Sequence, residues 1–250
     1  MENTIDEVIA YLMVNKLLIF LEGLISSGKS TLCKSIEYHL KRSGVNYKYY
    51  PEPINEKLLN LFYSDIKKHA FSFQSIIIRE RVHVYEDAVK DLNNGCNYVK
   101  VDRSAVGDCA FALMHHKAGN IDDQQFEVYA DLTKSTRKIN CAGIKKVIIF
   151  LNCTPKKARE RVIIRGNPKE IKSCTLEYLQ DLNHSYNRVL RKDTKDLSDD
   201  ERKVIKQVYE SIGTTNIVNI DYNEDFEVTN GYLSKDATFK ILKQIIDAIK

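Results

Sequence analysis

The sequence predicts an α/β fold with a central parallel sheet of five strands flanked by helices. Two observations support this prediction: short apolar runs alternate with longer helical stretches, and the most distinctive polar residues follow the apolar runs. Strands that alternate with helices are typical of a parallel sheet with right-handed crossovers. Ligands bind such a sheet at the carboxyl ends of its strands, so those polar residues are candidates for a site.

Five apolar runs are predicted to form the strands. The first, from Lys16 to Leu21, is almost entirely apolar, as expected of a strand buried on both faces. The others are Val45 to Tyr50, Tyr98 to Val101, Lys146 to Leu151 and Ile217 to Ile220.

Helices are predicted between these strands, and turn residues mark several of their ends. Lys29 to Lys41 stops near Ser43-Gly44, and Phe73 to Leu92 stops at Asn93-Asn94-Gly95. The polar stretch Thr194 to Glu201 is predicted to be a loop. The remaining helices are Glu56 to Lys68, Ala105 to Lys117, Asp122 to Ile139, Pro155 to Ile164, Leu176 to Leu190 and Ala237 to Lys250.

The composition suits one globular domain, which we expect to span residues 16–250 after an N-terminal extension of residues 1–15. Of the 250 residues, 43% are hydrophobic and 29% are charged. The net charge is +4, from 38 basic and 34 acidic residues. This balance argues against a general nucleic-acid binder and suits a local positive site for a small anion.

Cysteines and hydropathy predict a cytoplasmic protein with no membrane partner. The six cysteines are scattered without a C-x-x-C pair, which is typical of reduced thiols. The N-terminal residues lack the basic start of a signal peptide. The longest apolar run, Leu17 to Leu21, is far too short to span a bilayer.

A phosphate-binding loop follows the first strand. Gly23-Leu24-Ile25-Ser26-Ser27-Gly28-Lys29-Ser30 matches the pattern G-x-x-x-x-G-K-[ST] without a mismatch. The glycines let the backbone wrap around a polyphosphate, whose charge Lys29 neutralises, while Ser30 ligates or orients Mg²⁺. The helix that begins near Lys29 directs its positive end toward the phosphates. The motif alone does not distinguish a kinase from an ATPase, a GTPase switch or a motor.

Other residues favour a kinase among these classes. The N-K-x-D motif of GTPase switches is absent, and the strand ending at Asp102 continues into Arg103-Ser104 instead of further acidic residues. Glu52 follows the second strand, between two prolines. A carboxylate there is either a solvated loop residue or a base that takes the proton of an acceptor hydroxyl as it attacks the γ-phosphate.

From about Lys16 to the C-terminus, the chain resembles the deoxynucleoside kinases, the family of deoxycytidine, deoxyguanosine and insect multisubstrate kinases. This resemblance implies the P-loop kinase fold with an Arg-rich lid, ATP as the phosphoryl donor, Mg²⁺ as cofactor, a deoxynucleoside acceptor and a homodimer. The family forms its dimers through a helix pair, which residues Ala105 to Ile139 could supply. The resemblance rests on the phosphate loop, Glu52, Phe73-Gln74, Asp102-Arg103-Ser104, Arg159 to Arg165, Leu176-Glu177-Tyr178-Leu179 and Asn223-Glu224-Asp225-Phe226.

The resemblance also implies catalytic and metal-binding roles. Glu52 is the expected general base on the sugar 5′-hydroxyl, with Arg103 beside it and Lys29 on the phosphates. Asp102 stands where the family often has Glu, and it is expected to act on Mg²⁺ together with Ser30. The shorter side chain keeps the charge, and a bridging water can span the difference.

The acceptor side of the site is implied in the same way. Tyr63 and Glu170 match the positions that hold the sugar 3′-hydroxyl, and Gln74 matches the amide that pairs with the base edge. Ile77 is expected to face the same pocket and to narrow it. Without the resemblance, Gln74 would be interpreted as a polar residue on an exposed helix face.

Arg81 and Asp108 are the most informative residues for base preference. Arg81 lies seven residues after Gln74, two helical turns along the same face, and Asp108 lies four residues after Ser104. Cytidine- and purine-preferring members resemble this chain in having an Arg and an Asp here; the alternative is two ordinary surface charges. A carboxylate held by an arginine accepts from the amino group of cytosine or adenine, whereas the carbonyl of thymine would leave it unpaired. Deoxycytidine is therefore expected first, and deoxyadenosine or deoxyguanosine next.

A lid near residues 159–173 and a loop near the C-terminus are expected to close over ATP. Arg161 and Arg165 would stabilise charge on the transferring phosphoryl group, although Asn167 stands where the family usually has another Arg. Asp225 and Phe226 match the loop that packs on the donor base. The ATP-binding set is thus Gly23, Leu24, Ile25, Ser26, Ser27, Gly28, Lys29, Ser30, Thr31, Arg161, Arg165, Asp225 and Phe226.

Two other functions remain open from the sequence. A thymidylate-kinase-like nucleoside monophosphate kinase shares the loop and an Asp-Arg at a strand end, but it needs cations near Glu52, where this chain has Pro51, Pro53 and Ile54. A non-catalytic nucleotide-binding or regulatory protein is the second alternative. It does not explain why Lys29, Glu52 and Arg103 are all retained.

Overall fold

The predicted five-stranded parallel sheet is confirmed. A computed structural model describes residues 2–54, 56–135, 143–190, 195–213, 215–224 and 228–250, with side chains from Ile5 onward. The strands run in the spatial order β2-β3-β1-β4-β5, all parallel, so β1 lies at the centre. Their bounds are β1 (Leu17–Gly23), β2 (Tyr47–Tyr50), β3 (Tyr98–Asp102), β4 (Lys145–Asn152) and β5 (Asn216–Asp221).

Helices cover both faces of the sheet, and none of the described helices is long and apolar enough to cross a membrane. A short antiparallel ribbon, β6 (Val228–Thr229) and β7 (Tyr232–Leu233), follows the sheet. The helices are α1 (Glu2–Val14), α2 (Lys29–Leu40), α3 (Glu56–Ser64), α4 (Ile66–Asn93), α5 (Ala105–Lys117), α6 (Asp123–Thr133), α7 (Pro155–Arg165), α8 (Pro168–Ser173), α9 (Leu176–Leu190), α10 (Asp199–Ile212) and α11 (Lys235–Ile249).

The central strand explains why the sheet needs helices on both sides. All seven residues of β1 are buried. Since successive side chains of a strand point to opposite faces, both faces of β1 must be covered. Leu18 and Phe20 belong to the core under α4, α5 and α9, whereas Leu17, Ile19 and Leu21 belong to the core under α1, α2 and α11. The loop that follows β1 is therefore anchored on a strand that has no exposed face.

The helical region before β3 differs from the prediction. Instead of helices at 56–68 and 73–92, α3 ends at Ser64, and α4 runs without a break from Ile66 to Asn93. Asp65 is extended and its side chain accepts a hydrogen bond from the Lys68 amide, so it caps the start of α4. Phe73 and Gln74 consequently lie in the second and third turns of α4 instead of opening a helix.

The polar stretch 194–201 was wrongly predicted to be a loop throughout. Ser198 and Glu201 form a capping box, in which each side chain accepts from the backbone amide of the other, and α10 begins at Asp199. The buried residues Val204 and Val208 then continue a helix that the sequence analysis missed and that packs on α5 and α6. The end of the predicted helix Asp122 to Ile139 lies partly outside the described residues, after Lys134 and Ser135.

The N-terminal extension packs onto the domain instead of projecting from it. Val8 and Leu12 are buried in the same core as α11. Glu7 accepts hydrogen bonds from Lys243 and Lys250, which lower the pKa of Glu7 to about 2. Residues of α1 therefore close one end of the layer formed by α2 and α11.

The predicted dimer helices leave little apolar surface for a partner. From Ala105 to His115, every residue of α5 except Phe111 is buried, because α4, α6, α9 and α10 surround the helix. On α6, Val128 and Leu132 remain exposed. The homodimer stays a prediction, and within the described part of this helix pair only α6 has exposed large apolar side chains.

His115 is a buried histidine in this crowded layer. Its side chain is 1% exposed, lies edge-on to Phe62, and has a ring nitrogen without a partner among the described residues. Burial lowers the pKa of His115 to about 4. The folded protein therefore holds a neutral imidazole where the unfolded chain would be protonated in mild acid.

We expect His115 to make the fold sensitive to mild acid. The pKa of His115 is about 4 in the folded state and 6.5 in an unperturbed chain. The stability that the neutral imidazole gives the folded state is therefore complete above about pH 6.5 and lost by about pH 4. This difference in pKa corresponds to roughly 3 kcal/mol in the free energy of unfolding. Between pH 7 and pH 4.5, His115→Phe should lose less Tm than the native protein. An unchanged loss would contradict this account, and His184→Phe, at an exposed position, is the control.

Candidate active site

The phosphate loop connects the end of β1 to the start of α2. Gly28 caps α2 with a φ of 103°, a left-handed conformation that side chains rarely adopt. A Cβ at this position would also lie 2.6 Å from the ring of Tyr222. The chain therefore requires glycine here, both for the turn and for the close approach of the loop to Tyr222.

Several polar groups of the loop are poorly satisfied by the described residues. The hydroxyl oxygens of Ser26 and Ser27 are buried without a hydrogen-bond partner among the described residues. Lys29 is 8% exposed, and its ammonium group is 3.5 Å from the carbonyl of Leu24. Burial, and then the nearby Arg103, lowers the pKa of Lys29. A polyphosphate would supply the acceptors and the negative charge that these groups lack.

A cavity of about 240 Å³ opens beside this loop on the side of α7. We call it the donor cavity, and it is lined at the start of α2 by the exposed Ser30 and the half-buried Thr31. Leu24 is buried in the core, outside this lining. The donor cavity is lined by Ser26, Ser27, Gly28, Lys29, Ser30, Thr31, Arg161, Arg165, Tyr222, Val228 and Leu233.

A second cavity, of about 290 Å³, lies on the other side of Lys29, and we call it the acceptor cavity. The two cavities share Ser26, Lys29, Ser30 and Arg165. A group bound in one cavity would therefore face a group bound in the other across these residues. The acceptor cavity is lined by Ile25, Ser26, Lys29, Ser30, Glu52, Ile54, Leu59, Phe62, Tyr63, Phe73, Gln74, Ile77, Asp102, Arg103, Asp108, Phe111, Arg165, Glu170 and Tyr178.

Glu52 and Arg103 form an ion pair in the wall of the acceptor cavity. The Nε of Arg103 is 2.9 Å from Oε1 of Glu52, whose side chain is 28% exposed. Arg103 itself is buried, and its guanidinium lies 4.7 Å from the ring centre of Phe111. Glu52 therefore keeps access to the cavity while one side of its carboxylate faces a fixed cation.

Asp102 has one carboxylate oxygen available for a further ligand. Its Oδ2 accepts from the hydroxyl of Tyr49 at 3.3 Å, whereas its buried Oδ1 has no partner among the described residues. Asp102 and Ser30 both line the acceptor cavity. The described residues contain no group of three metal-ligating side chains. One carboxylate, one hydroxyl and room for phosphate oxygens nevertheless fit Mg²⁺, which is often held by a single carboxylate and its substrate.

Arg81 and Asp108 form a buried bidentate ion pair instead of two surface charges. The Nε and Nη2 of Arg81 donate to the two oxygens of Asp108 at 2.9 and 3.0 Å. Burial opposes the charge of Arg81, but the carboxylate of Asp108 holds the pKa of Arg81 above its usual value. Asp108 lines the acceptor cavity, whereas Arg81 lies behind it. The carboxylate of Asp108 therefore faces the acceptor cavity while its charge is paired with that of Arg81.

The other predicted acceptor residues also reach this cavity. Gln74 is 3% exposed and Ile77 is 2% exposed, so both point inward from α4. The hydroxyl of Tyr63 lies 3.8 Å from the sulfur of Cys174. Glu170, on α8, pairs with Arg165 on α7 at 3.1 Å. This pair connects the two helices of the predicted lid.

Arg161 connects the lid to the donor cavity. Its guanidinium donates to the carbonyl of Ser27 at 3.2 Å and to the carbonyls of Tyr222 and Glu224 at 3.2 and 3.1 Å. These contacts join α7, the phosphate loop and the segment after β5. The predicted donor-base residues Asp225 and Phe226 lie outside the described residues.

Two groups of residues at the site were not predicted from the sequence. Aromatic side chains of Phe62, Phe111 and Tyr178 line the acceptor cavity, but an apolar residue on a helix predicts a core position equally well. Glu22 and Tyr186 contact Arg103 and were also missed. A signal existed for Glu22, because a carboxylate at the end of an apolar strand must find donors when it is buried.

The chain is similar in sequence to known deoxynucleoside kinases. The deoxynucleoside kinase family model matches residues 19–249. The chain is 29% identical over 213 residues to a deoxyadenosine kinase of Dictyostelium discoideum, covering 80% of this chain and 82% of that protein. It is 27% identical over 239 residues to deoxycytidine kinase 2 of Gallus gallus, covering 84% and 83%.

A solved structure supports the fold independently. The deoxyadenosine kinase of M. mycoides, solved with dCMP and a flexible dCDP bound, superposes with a TM-score of 0.64 at 20% identity. The match covers 93% of this chain and 100% of that one. Its fold is the P-loop kinase fold that the sequence predicts. The family model spans nearly the whole chain, and the chain belongs to the deoxynucleoside kinase family.

Proposed function

We propose that this protein is an ATP-dependent deoxynucleoside 5′-kinase. The observation that carries the proposal is the ion pair of Glu52 and Arg103 in the wall of the acceptor cavity, next to Lys29. A base, a fixed cation and a phosphate-binding lysine at the junction of two cavities suit transfer between two substrates. A nucleotide-binding protein without catalysis would not need Glu52 in this position.

The reaction follows from the positions of these groups. The 5′-hydroxyl of a deoxynucleoside, held in the acceptor cavity, attacks the γ-phosphorus of ATP as its proton passes to Glu52. The bond from that phosphorus to the oxygen of the leaving ADP breaks, and Lys29 and Arg103 offset the charge on the phosphoryl group. When bound by Asp102 and Ser30, Mg²⁺ would add positive charge at the phosphates. The protein's contribution is mainly positioning and charge neutralisation.

The acceptor cavity supports a preference for bases that carry an amino group. Asp108 binds Arg81 through both oxygens, and this pairing keeps it ionised. An ionised carboxylate can only accept hydrogen bonds, which suits an exocyclic amino group. Gln74 can pair with the rest of the base edge. Thymine would bring a carbonyl toward Asp108, and an unpaired buried acceptor costs about 1–3 kcal/mol. We propose deoxycytidine as the preferred acceptor and deoxyadenosine or deoxyguanosine next.

The lid is proposed to comprise residues 159–173 within a single domain of residues 16–250. Arg165 lines both cavities and pairs with Glu170, so an acceptor that engages Glu170 would also affect Arg165. Arg161 holds the phosphate loop and the segment after β5. Closure of this segment would bring both arginines to the transferring phosphoryl group and exclude water.

Glu52→Gln tests the proposed base. The amide keeps the size of the side chain but cannot take a proton, so turnover should fall by about 10²–10⁴-fold. Deoxynucleoside affinity should change only a few-fold, because the cavity walls are retained. Steady-state kinetics with deoxycytidine and ATP, together with calorimetric titration of the nucleoside, measure both quantities.

The matched control is Glu37→Gln. Glu37 also pairs with a buried cation, Lys100 at 3.0 Å, and its side chain is 31% exposed, close to the exposure of Glu52. Its variant should keep the turnover of the native protein. Native turnover in Glu52→Gln would remove Glu52 as the base.

Asp108→Asn tests the proposed base preference. The amide keeps one oxygen that can accept from Arg81 and gives up the second of the two hydrogen bonds. Its NH₂ group presents a donor that suits the carbonyl of thymine. The ratio of kcat/KM for thymidine to that for deoxycytidine should rise by about tenfold or more. Competition assays with both nucleosides measure this ratio.

Asp91→Asn is the control for this change. Asp91 is paired with Lys48 and with the hydroxyl of Tyr50, away from both cavities, so its variant should keep the native ratio. If Asp108→Asn leaves the ratio unchanged while the protein stays folded, Asp108 does not read the base.

A further inference from the structure

Glu22, the next-to-last residue of β1, is a carboxylate with no exposure to solvent. Its Oε1 accepts from the amide and the hydroxyl of Ser104 at 2.7 and 2.6 Å, and from the amide of Gly107 at 3.1 Å. These donors lie at the N-cap and in the first turn of α5, where a negative charge is favoured. Burial raises the pKa of Glu22, while Arg103 and Ser104 oppose that rise. Glu22 therefore connects two parts of the fold: the turn that contains Arg103, and β1, from which the phosphate loop begins.

The second oxygen of Glu22 reaches Arg103 through Tyr186 on α9. The Nη1 of Arg103 donates to the hydroxyl of Tyr186 at 2.5 Å, and this hydroxyl donates to Oε2 of Glu22 at 2.9 Å. Because Tyr186 has one hydroxyl proton, donation to Glu22 leaves its lone pairs for Arg103. The same Nη1 also donates to the carbonyl of Gly23 at 3.0 Å. The polarity of this chain depends on an acceptor-only carboxylate at position 22.

The backbone shows why such support is needed. Arg103 has a φ of 64°, a left-handed conformation that costs a non-glycine residue about 1–2 kcal/mol. Glu22 binds the residue immediately after this strained position through two donors of Ser104. Gly107 leaves room for this contact, since a Cβ there would lie 2.1 Å from Oε2 of Glu22. The carboxylate, the turn and the glycine fit together as one unit.

We propose that Glu22 and Tyr186 form a positioning relay that holds the guanidinium of Arg103 against Glu52. The inference rests on the proposed kinase function, since Arg103 and Glu52 are placed there in the transfer step. Neither relay residue lines the acceptor or the donor cavity. Loss of the relay therefore lowers the rate of transfer and leaves nucleoside affinity nearly unchanged. Replacing a residue that only stabilised the fold would not lower the rate of transfer in the folded protein while leaving nucleoside affinity unchanged.

Glu22→Gln and Tyr186→Phe, singly and together, test the relay. The amide introduced at position 22 keeps an acceptor for α5 but directs a donor at Tyr186, which reverses the polarity of the chain. Tyr186→Phe removes the bridging hydroxyl with the smallest change in volume. Each variant should lose about 10- to 100-fold in kcat for deoxycytidine, with KM within about threefold of the native value. The double variant should lose no more kcat than the worse single variant, because both changes break the same chain.

Glu201→Gln is the matched structural control. Glu201 is also a buried carboxylate, 1% exposed, and it pairs with Lys117 at 2.8 Å and His116 at 3.1 Å, remote from both cavities. It should lower Tm without lowering kcat at a temperature where the protein is folded. The relay is overturned if Tyr186→Phe keeps native kcat, or if the losses in the double variant simply multiply.

A measurement without catalysis separates failure of the relay from failure of the proposed function. If the native protein phosphorylates no deoxynucleoside, the proposed function fails, and the relay is judged by urea unfolding of the four proteins in the same cycle. The effects of the two substitutions on the urea midpoint should then be non-additive. Additive effects would overturn the relay whatever the activity.

Discussion

The burial of charge around Arg103 is the constraint on which the rest of the site depends. A buried ion costs several kcal/mol unless partners surround it, and removing one partner from a buried pair typically costs about 3–5 kcal/mol. Arg103 is held by Glu52, by the hydroxyl of Tyr186 and by the carbonyl of Gly23. These partners come from the segment after β2, from α9 and from the end of β1. The position of this one guanidinium therefore fixes three parts of the fold relative to one another.

The pair proposed to read the base and the arginine proposed to act in transfer are joined through the backbone. In addition to Asp108, Arg81 donates to the carbonyls of Asp102 and Arg103 at 2.9 and 3.1 Å. The residue that orients Asp108 thus also supports the strained turn at Arg103. This connection explains why the design of an Asp108 variant should keep Arg81 paired. If the proposed roles hold, selection of the base and positioning of the residues for phosphoryl transfer share one set of contacts.

The sequence predicted the parts of the structure that depend on local patterns. The apolar run before Gly23 and the loop motif suffice to place β1 and α2, because strand burial and glycine conformations are local constraints. The capping role of Asp65 and the start of α10 at Asp199 were missed, although Ser198 and Glu201 stand at the spacing of a capping box. The polar stretch alone is typical of a loop, and only the apolar residues that follow it, such as Val204 and Val208, indicate a helix.

Within the site, the sequence indicated residues whose chemistry is unusual for their position. Glu52 and the Asp102-Arg103-Ser104 turn follow strands, and their proximity follows from the parallel sheet. The aromatic walls and the relay through Tyr186 could not be predicted, because they depend on which faces of distant helices meet; Arg103 and Tyr186, for example, are 83 residues apart. The burial of Arg81 and Asp108 also depends on tertiary packing, because α6 packs on α4 and α10 packs on α5.

The most direct test of the central claim is a substrate panel with the native protein and labelled ATP. Deoxynucleosides, ribonucleosides and nucleoside monophosphates would be offered separately, and the products would be separated by chromatography. The account predicts transfer of the γ-phosphoryl group to the 5′-hydroxyl of deoxycytidine, with deoxyadenosine or deoxyguanosine next and thymidine poor. Phosphorylation of monophosphates alone, or of no acceptor, would contradict it.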